Sequence, residues 1–242
     1  MTSNPSTNIN SNYVHWKKWS AFNFAKINSE DRRYFDSELK NFARSQSSSN
    51  HVLEIGFGNG KFLQYCLDNG WTVVGTEINP LLVEIAQENG FNAICSSDLS
   101  ELSANQFDFV AAFDVLEHVP QEQIIFFLQQ IHRVLKNNGS CILRFPNGDS
   151  PFGLANQNGD VTHVSTIGSE KIHYFACKTS LKLICCRGEC EPLIGATFLK
   201  TIRRSISIFF KKIINLFIWF VFYKKRNYCS DNLIVILKKT AP

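Results

Sequence analysis

No acidic residue occurs between Glu191 and Asp231, a stretch that carries eight basic ones, among them Lys200, Arg203, Arg204, Lys211 and Lys212. Removing those eight from the chain's 25 Lys and Arg leaves 17 against 21 Asp and Glu, so the basic character is local. A local patch of this kind argues against a general nucleic-acid binder. Residues 1–12 lack the apolar core of a secretory signal and are rich in Ser, Asn and Thr. Eight cysteines without such a signal point to reduced thiols in a cytoplasmic setting. No second Cys/His pair stands at finger-like spacing from Cys185, Cys186 and Cys190, which therefore read as strand residues and an edge thiol. With 242 residues, 44% hydrophobic and only 19% charged, the chain is globular and long enough for one domain with additions.

What is present centres on His51-Val-Leu-Glu-Ile-Gly-Phe-Gly-Asn-Gly-Lys61. Val52, Leu53 and Ile55 form a short buried strand, and Lys61-Phe-Leu-Gln-Tyr-Cys-Leu begins a helix. Between them Gly56, Gly58 and Gly60 permit a sharp turn that leaves backbone N–H groups open to a ligand. Glu77 follows at the end of the next apolar run, where a carboxylate at the tip of a second strand accepts hydrogen bonds from a ribose. A dinucleotide site requires G-x-G-x-x-G, and Lys61 stands where its third glycine belongs, which disfavours a dehydrogenase. A phosphate loop requires Ser or Thr after Gly-Lys, and the residue here is Phe62.

The string Glu54-x-Gly56-x-Gly58-x-Gly60 resembles the first motif of the class I S-adenosylmethionine-dependent methyltransferases. The resemblance implies an α/β, Rossmann-like, doubly wound and mostly parallel seven-stranded sheet with an antiparallel edge strand. It implies cofactor contacts from Glu54, Gly56, Gly58, Asn59, Gly60, Glu77, Ile78, Asp98, Leu99 and Asp114. Glu77 would hold the ribose hydroxyls, Asp98 would lie near the adenine amino group, and Asp114 would face the methionine part. No Asn/Asp-Pro-Pro-Tyr/Phe run follows the fourth strand, which disfavours methylation of a nucleobase amine.

The alternation along the chain supports this fold. Strands are expected at 52–55, 72–76, 93–95, 107–113 and 139–145, with helices at 61–68, 80–89 and from Pro120 through Leu135. Such spacing implies parallel strands joined by crossover helices. Before them, Ser29-Glu30-Asp31 is expected to cap a helix running to about Arg44, with Tyr34, Phe35, Leu39 and Phe42 on one stripe. After Pro146 a loop is expected to about Thr166, then a helix near 169–179, a strand near 181–186 and a last strand from Asn232. The division is a polar leader and helical cap at 1–50, the cofactor core at 51–191, a basic amphipathic insertion at 192–230, and a final edge strand and tail at 231–242.

Two stretches carry candidate chemistry. Asp114-Val-Leu-Glu117-His118 resembles the segment after the fourth strand in ubiquinone-biosynthesis O-methyltransferases, some of which bind a divalent metal there. Asp114 stands where that family carries the longer Glu, so no metal is expected, with Asp114, Glu117 and His118 as the ligand set if one binds. Phe145-Pro-Asn-Gly and Gly159-Asp-Val-Thr-His163 resemble methyltransferases encoded with bacterial surface-polysaccharide genes, as do Trp16-x-x-Trp19 and Tyr34-Phe-Asp-Ser-Glu-Leu39. Methyl transfer to a hydroxyl needs a base near neutral pKa, which selects His163, oriented by Asp160, with His118 as the alternative.

The expected activity is methyl transfer to a hydroxyl of a sugar or lipid-linked glycan. The alternatives are a small quinone-like, fatty or aromatic metabolite, or a binding-only protein of the same fold. The expected partners are that acceptor and, through 197–226, an anionic membrane surface, since Leu199, Ile202, Ile206, Phe209, Ile213 and Phe217 form a stripe opposed by basic residues. The wholly apolar end of that stretch, 216–223, is too short to span a bilayer. The location implied is cytoplasmic, peripheral on a membrane.

Overall fold

The computed structural model describes residues 16–17, 19–40, 50–192, 198–222 and 229–240. The polar leader 1–12, the end of the cap helix at Phe42 and Arg44, the linker 45–49 and the basic triplet Lys224, Lys225 and Arg226 lie outside them.

Seven strands form one sheet in the order β3-β2-β1-β4-β5-β7-β6: β1 His51–Ile55, β2 Thr72–Glu77, β3 Ala93–Cys95, β4 Phe107–Phe113, β5 Leu135–Pro146, β6 Leu181–Gly188 and β7 Asn232–Lys239. The first five are parallel, and β7 runs antiparallel between β5 and β6. β7 sits one place in from the outermost strand because its Leu-Ile-Val-Ile-Leu run is buried throughout. Side chains alternate across the sheet. Leu53, Val74, Val110, Leu143 and Val235 pack on one face, and Val52, Val73, Ile142 and Ile236 on the other.

Helix α1, Ser29–Leu39, is capped one residue before the expected Ser29. Asn28 is the N-cap, its Oδ1 accepting from the amides of Glu30 at 2.7 Å and Asp31 at 2.9 Å. Asp31 closes the box by accepting from the Asn28 amide. Helices α2, Lys61–Asp68, and α3, Pro80–Glu88, follow β1 and β2 as expected. Pro120 does not begin the next helix. It precedes a 3-10 turn at Gln121–Gln123, and α4 runs Ile124–Val134. Leu135 belongs to β5, because its φ and ψ are already extended. On α4, Ile124, Leu128, Ile131 and Val134 are fully buried at helical spacing, each contributing roughly 1.5–3 kcal/mol of transfer free energy. The segment after Pro146 is not all loop, since a short helix α5, Leu154–Asn158, interrupts it. Helix α6, Ser169–Cys177, packs beside β6, and a 25-residue helix α7, Phe198–Phe222, lies between β6 and β7 in sequence.

Candidate active site

The parallel strands deliver their C-terminal ends to a single cavity of about 1540 Å³. That exceeds the ~300–1,000 Å³ typical of a single-ligand pocket, so a cofactor and an acceptor both have room. Its cofactor half is built by the glycine turn. Gly58 and Gly60 have φ of +51° and +70°, the left-handed region that suits glycine. A Cβ on Gly58 would stand 2.8 Å from the Trp19 ring, and one on Gly60 would stand 2.5 Å from Phe24. The N-terminal segment is thus laid directly on the turn. The Ala25 amide donates to the Asn59 carbonyl at 2.8 Å, and the Asn59 side chain donates to the Asn23 carbonyl at 3.2 Å.

Glu77 accepts from three amides: Gly58 at 3.1 Å, Ile78 at 2.8 Å and Asn79 at 3.1 Å. Burial raises its pKa, and these amides work against the rise. Glu54 is buried beneath the turn with Oε2 lacking a hydrogen-bond partner, and burial, reinforced by the Glu77 charge, pushes its pKa well up. An orphaned buried carboxylate oxygen beside an open glycine cradle fits a ligand that brings its own donors. Asp98, exposed at the far wall, has its pKa lowered by hydrogen bonds from Ser100. Gly56, Gly58, Asn59, Ile78, Asp98, Leu99 and Asp114 all line the cavity. Gly60 does not. It caps α2 and packs on Phe24, which closes the turn.

The acceptor half gathers the predicted chemistry. His163 Nδ1 lies 3.0 Å from the Gln157 carbonyl, which can only accept, so Nδ1 carries the proton and Nε2 keeps its lone pair. That Nε2 lies 3.8 Å from Asp160 Oδ2 and 3.9 Å from Glu117 Oε1. The two carboxyls differ in charge. Burial opposes ionisation of Asp160, yet the Thr162 hydroxyl and amide and the Lys17 ammonium hold its pKa down at about 2. Burial and then the Asp114 charge push Glu117 up to about 8, and its Oε2 has no partner. His118 stacks edge-on against His163 at 4.7 Å, and burial followed by the His163 charge lowers its pKa.

Asp114 does not join this group. At φ +57° it turns toward β5, where Arg144 grips both its oxygens and also reaches the Tyr34 hydroxyl at 3.0 Å and Glu189 at 3.3 Å. Among the described residues, those able to surround a metal are Glu117, His118 and His163, whose ligand atoms lie within 4.8 Å of one another. His163 therefore replaces Asp114 in the ligand set expected from sequence. Sequence reasoning also passed over Arg144 and Lys17. Arg144 left a signal, a lone charge in the apolar Ile-Leu-Arg-Phe strand that must find a partner. Lys17 left none.

A doubly wound sheet in this order, with a glycine turn after β1 and an acid after β2 opening on a common cavity, is the fold of the S-adenosylmethionine-dependent methyltransferases. The chain belongs to the methyltransferase-domain family, whose model matches residues 27–185. Among solved structures it is similar in fold to a SAM-dependent methyltransferase from Archaeoglobus fulgidus. The TM-score is 0.64 and the identity 22%, over 86% of this chain and 94% of that one. It is also similar to the cyclopropane synthase MmaA2 from Mycobacterium tuberculosis, with a TM-score of 0.57 and 12% identity, over 86% and 84%. Among curated proteins it is similar to the ubiquinone biosynthesis O-methyltransferase of Pseudomonas syringae, 28% identical over 137 residues, 53% of this chain and 54% of that protein. The chain spans about half the length of the curated relatives it matches. The cofactor is S-adenosylmethionine and its product S-adenosylhomocysteine.

Proposed function

We propose that the chain methylates a hydroxyl of a sugar in a lipid-linked glycan, at the cytoplasmic face of a membrane. The observation that carries the O-methyl reading is His163, a residue of the cavity wall whose Nδ1 is engaged by the Gln157 carbonyl, which leaves Nε2 as the nitrogen able to accept a proton. When bound, S-adenosylmethionine supplies an electrophilic methyl carbon on a positively charged sulfur. The Gly56–Gly58 backbone and Glu77 hold the cofactor in the half of the cavity below β1 and β2. His163 would take the acceptor's hydroxyl proton at Nε2 as the methyl group passed from sulfur to oxygen and the carbon–sulfur electrons stayed with sulfur. Ionised Asp160 stabilises the imidazolium, and neutral Glu117 keeps the second wall of the site uncharged. Alignment of oxygen, carbon and sulfur by the cavity walls supplies much of the rate. Trp16 and Asn156 line the same cavity as His163, an aromatic face and an amide that suit stacking on and hydrogen bonding to a polyhydroxyl ligand.

A second reading, a small quinone-like phenol as acceptor, is favoured by the metal-capable Glu117, His118 and His163, because a bound cation would lower the pKa of a phenol. The curated relatives are ubiquinone biosynthesis enzymes by name, which favours the same reading. Methyl-labelled cofactor offered with envelope glycolipids and with hydroxylated quinones separates the two. The glycan reading expects label in glycolipid, unaffected by a chelator. The same assay with His163→Ala is expected to lose roughly 10²–10⁴ in rate while S-adenosylhomocysteine affinity holds. Chelator-sensitive label confined to the quinone replaces the glycan reading.

A further inference from the structure

Helix α7 is folded inside out. Its seven half-buried positions lie along one side, spaced by three and four except for the adjacent Ser207 and Ile208, and five of them are polar: Thr201, Arg204, Ser207, Lys211 and Asn215. That side meets acids of the core. Lys200 pairs with Glu30 at 2.9 Å, Arg204 reaches Glu30 at 3.7 Å and the Pro192 carbonyl at 2.9 Å, and Lys211 pairs with Glu191. An ordinary surface helix turns its apolar stripe to the core. Here fourteen large apolar side chains face outward, and none of the 25 residues is buried.

We infer that α7 is a hydrophobic membrane anchor that lies in the plane of the lipid surface and holds the rim of the cavity against it. Seven of the outward side chains are aromatic, Phe198 and Phe222 among them, and all are 45–78% exposed. At ~150–250 Å² per ring they offer on the order of 900 Å², beyond the few hundred Å² a monomer leaves bare. At 100° per residue the outward apolar set through Phe220 spans about 220° of the helix, wider than the seam one partner helix would cover. A fluid apolar phase covers such a convex face, and a second copy of the chain does not.

The helix is long and apolar enough to cross a bilayer, about 37 Å. Its contacts oppose that orientation, because Lys200 and Lys211, roughly 16 Å apart along the axis, are both held to the core. The same pairs change the electrostatics expected from sequence. Three of the five described cations of the helix are already paired with acids of the core, and only Arg203 and Lys212 make no ion pair among the described residues. Attachment therefore rests on apolar insertion more than on anionic lipid.

The anchor touches what frames the cavity. Glu30 precedes Asp31, which lines the cavity with Tyr34 and Phe35, and Glu191 lies two residues beyond Glu189, which binds Arg144 and Asn232 of the cavity wall. Delivery of an acceptor from the bilayer rests on the lipid-linked substrate proposed above; the anchoring itself does not.

Flotation of the full chain, saturated with S-adenosylhomocysteine, on phosphatidylcholine vesicles with and without added phosphatidylglycerol tests the anchor. Binding to phosphatidylcholine alone, unchanged in salt of about 0.5 M, is expected. The pair Phe209→Glu and Phe217→Glu is expected to cut vesicle partition at least about tenfold while S-adenosylhomocysteine affinity, which reports the folded core, stays constant. The pair Arg203→Glu and Lys212→Glu is expected to change it by less than about twofold. Binding that needs phosphatidylglycerol and disappears in salt overturns the inference, as does a vesicle-free chain that light scattering finds as a dimer. Vesicle binding without methylation of any glycolipid leaves the anchor standing and removes only the acceptor.

Discussion

Glu117→Gln tests the electrostatic design of the acceptor site through the protein's stability. The Glu117 carboxyl has an ordinary value of 4.5 and is pushed up to about 8 in the folded chain, first by burial and then by the Asp114 charge. A group whose folded pKa is raised keeps its proton in the folded chain at pH values where the unfolded chain has lost it. Its contribution is therefore fully present below pH 4.5 and declines as the pH rises toward 8. At ~1.4 kcal/mol per unit the decline totals about 5 kcal/mol. Gln has the same shape and does not titrate. With a chelator present, the variant should gain on the parent by roughly 1.4 kcal/mol per pH unit across this window and hold a constant lead above it. For a chain of this size that corresponds to a relative shift of about 10–20 °C in Tm between pH 5 and pH 8.5. Thermal or urea unfolding of both proteins at several pH values measures it. A difference that stays flat with pH would mean that Glu117 is ionised throughout, and the neutral-wall account of the site would fall. The same experiment with added divalent cation bears on the quinone reading, since a metal held by Glu117 keeps the carboxylate charged and abolishes the slope.

The cofactor half makes two further predictions. Glu77→Ala removes the acceptor of three amides and, on the site proposed above, of the cofactor's ribose, so calorimetric affinity for S-adenosylhomocysteine should drop by roughly 10–100-fold, about 1.4–2.8 kcal/mol. Unchanged affinity would remove Glu77 from the site. Gly60→Ala and Gly70→Ala form a matched pair, both at φ above +70° or equal to it, but only the first brings a Cβ to 2.5 Å from Phe24, while the second meets nothing within 4 Å. Gly70→Ala should cost about 1–2 kcal/mol for the backbone alone, and Gly60→Ala at least about 1 kcal/mol more because a buried ring must shift. Equal losses in melting experiments would show that Phe24 does not rest on the turn.

The structure also shows how the N-terminal segment completes the site. Trp19 and Phe24 press on the glycine turn, and Lys17 crosses the cavity to Asp160 at 3.0 Å. One segment thereby covers the glycine turn and adds, after the hydrogen bonds from Thr162, to the interactions that keep the Asp160 carboxylate beside His163 ionised. Arg144 has the corresponding role on the opposite wall. It ties Asp114 after β4, Tyr34 on α1 and Glu189 after β6 to the end of β5, four separate elements held by one guanidinium.

The sequence by itself determined the strand, the glycine turn, the helix and the acid of Glu77, together with the parallel order of the sheet. These depend on residues near one another in the chain, where backbone conformation and apolar period are local properties. The sequence also singled out His163 as a candidate base among six histidines, and the folded chain places that residue on the cavity wall. What the tertiary structure decided were pairings across long separations. His163 meets Glu117 across 46 positions, Lys17 meets Asp160 across 143, and Arg144 takes Asp114 away from the metal-capable group. The orientation of α7 belongs to the same class. Its periodicity shows two faces, but which face turns inward depends on where Glu30 and Glu191 stand, and only the folded chain puts those acids beside its basic side.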